Sequence, residues 1–219
     1  MSTNSRVLWP LAHAERAALV DDLADLTPEQ WDVPSLCGDW TVHDVVSHLT
    51  AAASTGRLRW LRSVVGARFD FDLHNARRLA EHRGATPTET LERFRRVVTS
   101  TTAASGHTPA WLGEVVVHAQ DIRRPLGLAR EPGLDALTEV AGFYVSRDFT
   151  VPSRTAVEGL RLEAADGPFE HGSGPLVRGS TLALVMAMAG RTAYLDELDG
   201  PGVPTLRTRT TTPTTLKST

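Results

Sequence analysis

Cysteine, lysine and long apolar runs are nearly missing from this chain, and each scarcity removes a class of function. Cys37 is the only cysteine, so no intramolecular disulfide can form and a cysteine-rich zinc site is excluded. Lys217 is the only lysine among 23 basic residues. Such an arginine bias can accompany anion recognition, but a GC-rich coding sequence is the better explanation, and the bias carries little weight. Basic excess is absent too: 26 acidic residues leave a formal charge of −3 and a pI of about 6.2. A nucleic-acid surface normally carries the opposite balance, so no nucleic-acid partner is expected. The longest apolar run, Leu182 to Ala189, is far short of the roughly 20 residues a membrane span needs. The first residues, Met1 to Arg6, lack the apolar core of a signal peptide, and the short apolar stretch after them is soon interrupted by His13, Glu15 and Arg16. A cytoplasmic protein without a membrane partner is the expectation.

The residues that are present suffice for a packed core. Of the 219 residues 41% are hydrophobic and 22% charged, which fits one large domain, or a medium domain with a small appendage. Leu8, Leu11, Leu19, Val20, Leu23 and Leu26 recur near helical spacing and predict a first helix over about 7–26. Thr27-Pro28-Glu29-Gln30 predicts a short helical turn, and Asp32 to Asp39 a loop. Thr41-Val42-His43-Asp44 reads as a capping box. It opens a second helix with Val42, Val45, Val46 and Leu49 inward, running towards Val65 with a candidate break near Ser54-Thr55-Gly56. On that helix His48 falls roughly 110° from the centre of the apolar face, at the edge of the core. His43, on the opposite edge, is read as a boundary histidine satisfied by water or a neighbour.

After the loop Phe69-Asp70-Phe71-Asp72, a helix from about Leu73 to His82 puts Asn75, Arg78 and His82 on one face. A further helix is expected from Thr88 to about Ser105, with Leu91, Phe94, Val97 and Val98 as its stripe. Trp111 to Asp121 then reads as a helix closed by Arg123-Arg124-Pro125. Four long helices with short connections predict a four-helix bundle over 1–128. The character changes beyond it, and a small α+β domain is expected over 129–207. It would hold a helix from Leu134 to Ser146, a strand ending near Ala164, a turn at Asp166-Gly167 and a partner strand at Phe169 to Gly172. An apolar helix between Gly179 and Gly190 and a last strand after Gly200-Pro201-Gly202 complete it. The threonine-rich tail 208–219 is expected to be disordered.

Chemistry concentrates in the Trp111–Asp121 helix. Glu114 and His118 are four apart and share one face, Asp121 extends that stripe, and Trp111, Val115 and Ile122 run beside it. A carboxylate and an imidazole so arranged can ligate a divalent metal, or can simply form a solvated pair. A third ligand has to come from elsewhere, and His48 is the best candidate.

These segments carry a resemblance. Pro34-Ser35-Leu36-Cys37-Gly38-Asp39-Trp40-Thr41-Val42-His43-Asp44-Val45-Val46-Ser47-His48-Leu49, Asn75-Ala76-Arg77 and Glu114-Val115-Val116-Val117-His118-Ala119-Gln120-Asp121-Ile122-Arg123-Arg124-Pro125-Leu126-Gly127 resemble the mycothiol-dependent maleylpyruvate isomerase family, within the DinB-like metalloenzymes. Gly190-Arg191 with Leu198-Asp199-Gly200-Pro201-Gly202 is similar to that family's small second domain. The resemblance implies zinc, or another divalent metal, on His48, Glu114 and His118. An open position would receive mycothiol as the thiol cosubstrate. The thiolate would add to a cis double bond and leave after rotation, or attack an electrophile in an S-transfer.

Asp121 is read as the partner orienting His118 or as an interhelical ion-pair partner rather than as a ligand, and Arg191 or Arg78 could supply the arginine an anionic substrate needs. Asn75, Arg78 and Trp40 are the expected contacts of the thiol cosubstrate, and Trp111 is a further candidate for the pocket wall. Cys37 is read as a packed loop residue, since the thiol comes from the cosubstrate. The expected partners are a small-molecule thiol and an electrophilic or anionic small molecule, with the protein a monomer or homodimer. Two readings compete with the enzyme: a non-catalytic metal-binding regulatory or sensor module, and a bundle whose Glu114/His118 pair is merely structural.

Overall fold

The computed structural model describes residues 3–56 and 71–211, with side chains over 7–56 and 77–211. Helix α1 spans Thr3–Ala24, and a 3-10 turn Pro28–Asp32 leads to α2, Val42–Ser54. Next come α3 (Phe71–His82), α4 (Pro87–Arg95) and α5 (Thr108–Arg123). The expected continuation of the second helix towards Val65, like Phe69 and Asp70, lies outside the described residues. Leu8, Ala12, Leu19 and Leu23 of α1 are sealed from solvent, the stripe expected of a helix lying on a core. Helix α2 is central: it packs against α3, α4 and α5, while α1 lies along α5 and α4. This is the expected mainly α-helical bundle.

Local chemistry sets where α2 begins. Thr41 Oγ1 accepts from Asp44 N–H at 3.3 Å, and Thr41 N–H donates to the Asp44 carboxylate at 3.1 Å, so two backbone donors that a helix start leaves open are satisfied. Asp44 also takes an ion pair from Arg83. Opposite, the Arg123 guanidinium is wholly buried and joins α5 to α1, with Nε donating to Asp22 at 2.7 Å and Nη1 to Glu15 at 3.4 Å. Asp22 accepts a further bond from Arg130 Nε at 2.9 Å.

The fourth helix is shorter than its sequence predicts. It stops at Arg95, and tight turns come next, with Val97 N–H on Phe94 O and Ser100 N–H on Val97 O, both at 3.0 Å. The carbonyls of Val97, Val98 and Ser100 face Arg16 of α1 instead of continuing a helix. Val97 and Val98 are accordingly half-buried rather than members of a core stripe.

The chain divides into two compact units, residues 1–130 and 131–219. The second unit contains α6 (Leu134–Ser146), α7 (Ser153–Val157), β1 (Arg161–Ala164), β2 (Glu170–Gly172), β3 (Leu176–Gly179), α8 (Thr181–Met188), a 3-10 turn Thr192–Glu197 and α9 (Val203–Thr211). The sheet order is β2-β1-β3. β1 runs antiparallel to β2, with Leu162 opposite His171, and parallel to β3, with Leu162 opposite Val177. Leu162 and Val177 are sealed, as is nearly all of α8, which packs on β1, β3 and α6.

Two expectations change here. The stretch after Gly202 is helix α9, not a last strand, and the tail is helical as far as Thr211 rather than disordered from 208. Its threonines bond back along the helix, Thr208 Oγ1 to Pro204 O at 3.0 Å, Thr210 Oγ1 to Leu206 O at 3.0 Å and Thr211 Oγ1 to Arg207 O at 2.8 Å, which satisfies hydroxyls that otherwise favour coil. Residues 212–219 lie outside the described residues. No helix among the described residues is long and apolar enough to cross a membrane.

Candidate metal centre

Helix α2 contributes His48 and helix α5 contributes Glu114 and His118. The two helices pack against each other, and Val45, Val46 and Leu49 on one and Leu112, Val115 and Ala119 on the other are all buried. His48 Nε2 lies 2.5 Å from Glu114 Oε1, and His118 Nε2 lies 3.7 Å from the same oxygen. The two imidazoles stand edge to face, their centroids 5.0 Å apart. One ligand atom from each residue falls within 4.8 Å of the other two. Ligand bonds of about 2.0–2.2 Å put neighbouring ligands of a tetrahedral zinc roughly 3.3–3.5 Å apart, so small rotamer adjustments fit these three atoms to one cation. The side chains of His48 and Glu114 keep about a fifth of their exposure, 20% and 18%, so the cluster remains open to a small molecule.

Asp121 decides which nitrogen of His118 faces the cluster. Its carboxylate is sealed and lies 2.9 Å from His118 Nδ1. A carboxylate can only accept, so Nδ1 carries a proton and Nε2 is the nitrogen turned towards Glu114 and His48. Burial disfavours charge on His118, but its hydrogen bonds with Asp121 and Cys37 and the charges of Glu114 and Asp121 outweigh it, raising its pKa to about 10. A cation bound at Nε2 would displace the second proton of that ring.

The thiol of Cys37 touches this group. Cys37, His118 and Asp121 form a second triad sharing His118 with the first. The reading of Cys37 as a mere packed loop residue is therefore corrected. Nothing in the sequence places it there; the loop does. Ser35 N–H bonds Trp40 O at 2.8 Å and Trp40 N–H bonds Cys37 O at 3.2 Å, around Gly38 with φ +58°. Leu36 N–H then donates to Asp121 O at 3.1 Å, one of the carbonyls that a helix end leaves without an internal partner. The same fold-back sets Trp40 against the site, with its ring 4.9 Å from His48 and 6.3 Å from His118.

Arg78, Trp111 and Arg191 are each bonded to groups outside this cluster. Arg78 is buried on α3 with Nη2 on Glu81 at 2.8 Å. Asn75 is on the backbone of α3, but its side chain lies outside those described. Trp111 donates from Nε1 to Ser105 O at 3.2 Å. Arg191 belongs to the second unit, where Nη1 donates to Ala189 O at 2.7 Å. His43 is more deeply buried than a boundary residue and is satisfied by a neighbour, with Nε2 2.6 Å from Thr90 Oγ1.

The family model of the mycothiol maleylpyruvate isomerase N-terminal domain matches residues 12–123, more than half of the chain and all of the segment that builds this cluster. The chain belongs to that family. Family membership and the ligand geometry thus bear on the same residues. A crystal structure of the mycothiol-dependent maleylpyruvate isomerase superposes with a TM-score of 0.64 at 17% identity, covering 92% of this chain and 96% of that one. A histidine-to-alanine mutant of that isomerase gives a TM-score of 0.63 at the same identity and coverage. At that identity the likeness is one of fold, and it extends beyond the family segment into the second unit. No curated protein matches the chain.

Proposed function

We propose that this protein is a divalent-metal enzyme, with zinc on His48, Glu114 and His118, that uses mycothiol as a thiol cosubstrate in a maleylpyruvate-isomerase-like isomerisation or an S-transfer. The observation carrying the proposal is the orientation of His118: with Asp121 on Nδ1, three ligand atoms converge in a member of this family. Zinc supplies one thing here, keeping a bound thiol deprotonated and nucleophilic at neutral pH. The protein supplies the rest. Asp121 holds the imidazole in one tautomer, Glu114 adds the negative charge that offsets the cation, and the Trp40 ring shields the histidines from water. A thiolate that adds to an activated cis double bond and leaves after rotation returns the trans isomer, whereas a thiolate that stays on its electrophile gives S-transfer. Arg191 and Arg78 remain candidates to hold an anionic substrate, and Asn75, Arg78 and Trp40 to contact the thiol.

The test is elemental analysis of the purified chain and of His48→Ala, paired with thiol-dependent turnover. The expected result is about one zinc per chain, lost in His48→Ala together with turnover while the melting transition persists. Full zinc retention by His48→Ala would rule out this ligand set.

Cys37 favours a second reading. A metal closed off by the Cys37 thiol would leave no room for a cosubstrate, which describes a non-catalytic metal-binding regulatory or sensor module. Cys37→Ser separates the two: the enzyme keeps its zinc, and the closed site loses it.

A further inference from the structure

Two groups of ligand atoms meet at His118, and the metal enzyme uses only one of them. His48, Glu114 and His118 form the first; Cys37, His118 and Asp121 form the second, again with one ligand atom from each residue within 4.8 Å of the other two. The groups share His118 and no other residue. They also meet different nitrogens of its ring: Glu114 lies 3.7 Å from Nε2 and Asp121 2.9 Å from Nδ1. Main-chain bonds hold the second group together. His118 and Asp121 stand one turn apart on α5, and Leu36 N–H, next to the thiol residue, donates to Asp121 O at 3.1 Å. Cys37 N–H donates to Ser35 Oγ at 3.1 Å, and Cys37 O accepts from Trp40 N–H at 3.2 Å. The Asp121 carboxylate is sealed, whereas Cys37 is half-buried, so the thiol is the side from which a cation can enter.

A thiolate, a carboxylate and an imidazole are ordinary donors to zinc, and the thiolate favours soft cations over hard ones. Charge matters in so enclosed a place. Two anionic ligands cancel a divalent cation, whereas the first group, with Glu114 as its one anion, leaves a positive charge over. We propose that Cys37, His118 and Asp121 form a second cation site, which takes a thiophilic divalent ion on the Nδ1 side of His118 and antagonises the ion on the Nε2 side. The antagonism is built into the shared ring. An ion on Nδ1 takes Asp121 as its own ligand, so the ring loses the hydrogen bond that makes Nε2 a good donor, and the two cations repel. Binding on Nδ1 breaks a formed hydrogen bond and binding on Nε2 does not, so the second site is the weaker one for zinc. Zinc fills the first group, and the second responds to an excess or to a softer ion. Its three ligands stand without the enzyme reading above; only the antagonism rests on that reading.

The probe is cadmium, titrated into chelator-treated full-length protein and read by bound ions per chain and by thiolate-to-cadmium absorption in the ultraviolet. Cys37 is the only cysteine, so the absorption reports this thiol alone. The expected result is about two ions per chain in the wild type, one of them absorbing. Cys37→Ser should bind one silent ion and His48→Ala one absorbing ion. Asp121→Asn should weaken the absorbing ion about tenfold or more. Preloading one equivalent of zinc should shift the absorbing titration to higher cadmium by about tenfold in the wild type, and by less in His48→Ala. No absorption in the wild type, absorption lost in His48→Ala, or unchanged affinity in Asp121→Asn overturns the inference. The second of these returns the thiol to a single closed centre, and the third leaves it acting alone. Equal zinc shifts in the wild type and His48→Ala mean competition for one place and overturn the antagonism. If a variant does not fold, the wild-type stoichiometry and its zinc shift decide. A chain that takes only the absorbing ion, and keeps it in His48→Ala, sinks the zinc assignment and keeps the second site.

Discussion

His118 meets its neighbours through different ring nitrogens, so aiming the ring and binding the metal separate by substitution. Asp121→Asn keeps the shape but offers an amide that can present either end to Nδ1. Zinc affinity, measured against a competing chelator, should fall by about 10–100-fold, with little change in melting temperature. An unchanged affinity would mean that the ring is aimed by Cys37 or by packing alone. His43 makes a different prediction, one about pH. Burial, with help from Arg83, holds its pKa below the ordinary 6.5, against the opposing charges of Asp44 and Asp32. As pH falls through 6.5 the unfolded chain takes up a proton that the folded chain refuses, so stability is lost downward from there and the loss is complete below the folded pKa. Melting temperature followed from about pH 8 to about pH 5 should therefore drop more steeply in the wild type than in His43→Gln. Parallel curves would remove His43 as the cause.

Among the elements, helix starts are legible in the sequence because their causes are local. The Thr41–Asp44 box and Thr86 ahead of Pro87 act within four residues, and α2 and α4 begin where those signals stand. The end of α4 is not legible, because Arg16, from a distant part of the chain, engages the carbonyls beyond Arg95. Strand β3 escapes for a similar reason: its parallel pairing with β1 is a tertiary fact that Leu176 to Gly179 do not announce. Helix α9 is missed because threonine disfavours helices in isolation, and its back-bonds to carbonyls one turn earlier exist only once the helix does. In the candidate site, His48, Glu114 and His118 can be named from residue type and resemblance. Cys37 cannot, since it arrives through a backbone bond from Leu36 to Asp121, a link as remote in sequence as the α1–α5 packing. That packing carries its own prediction. Arg123→Met would strand Glu15 and leave Asp22 to Arg130 alone, both acids with side chains only 10% exposed, and should cost about 3–5 kcal/mol of unfolding free energy in denaturant melts. A cost below about 1 kcal/mol would mean that water readily takes the place of the guanidinium.

At the scale of the molecule, every candidate metal ligand belongs to residues 1–130, and Arg191 to the unit 131–219. Residues 1–130 expressed alone should bind zinc in the same ratio as the full chain, and the second unit should be needed only for turnover. A fragment that folds but takes no zinc would show that the ligand set is incomplete without the second unit. The loop at the mouth of the cluster is held by main-chain atoms: Ser35 to Trp40, Trp40 to Cys37, and Leu36 to Asp121. Its anchoring therefore depends on few of its side chains: the Ser35 hydroxyl, which accepts from Cys37 N–H at 3.1 Å, and the left-handed turn at Gly38. Such a rim can be rewritten at the positions whose side chains do not touch the histidines, while the cation-binding frame beneath stays constant, so selectivity for new electrophiles is accessible by diversifying residues 36 and 39.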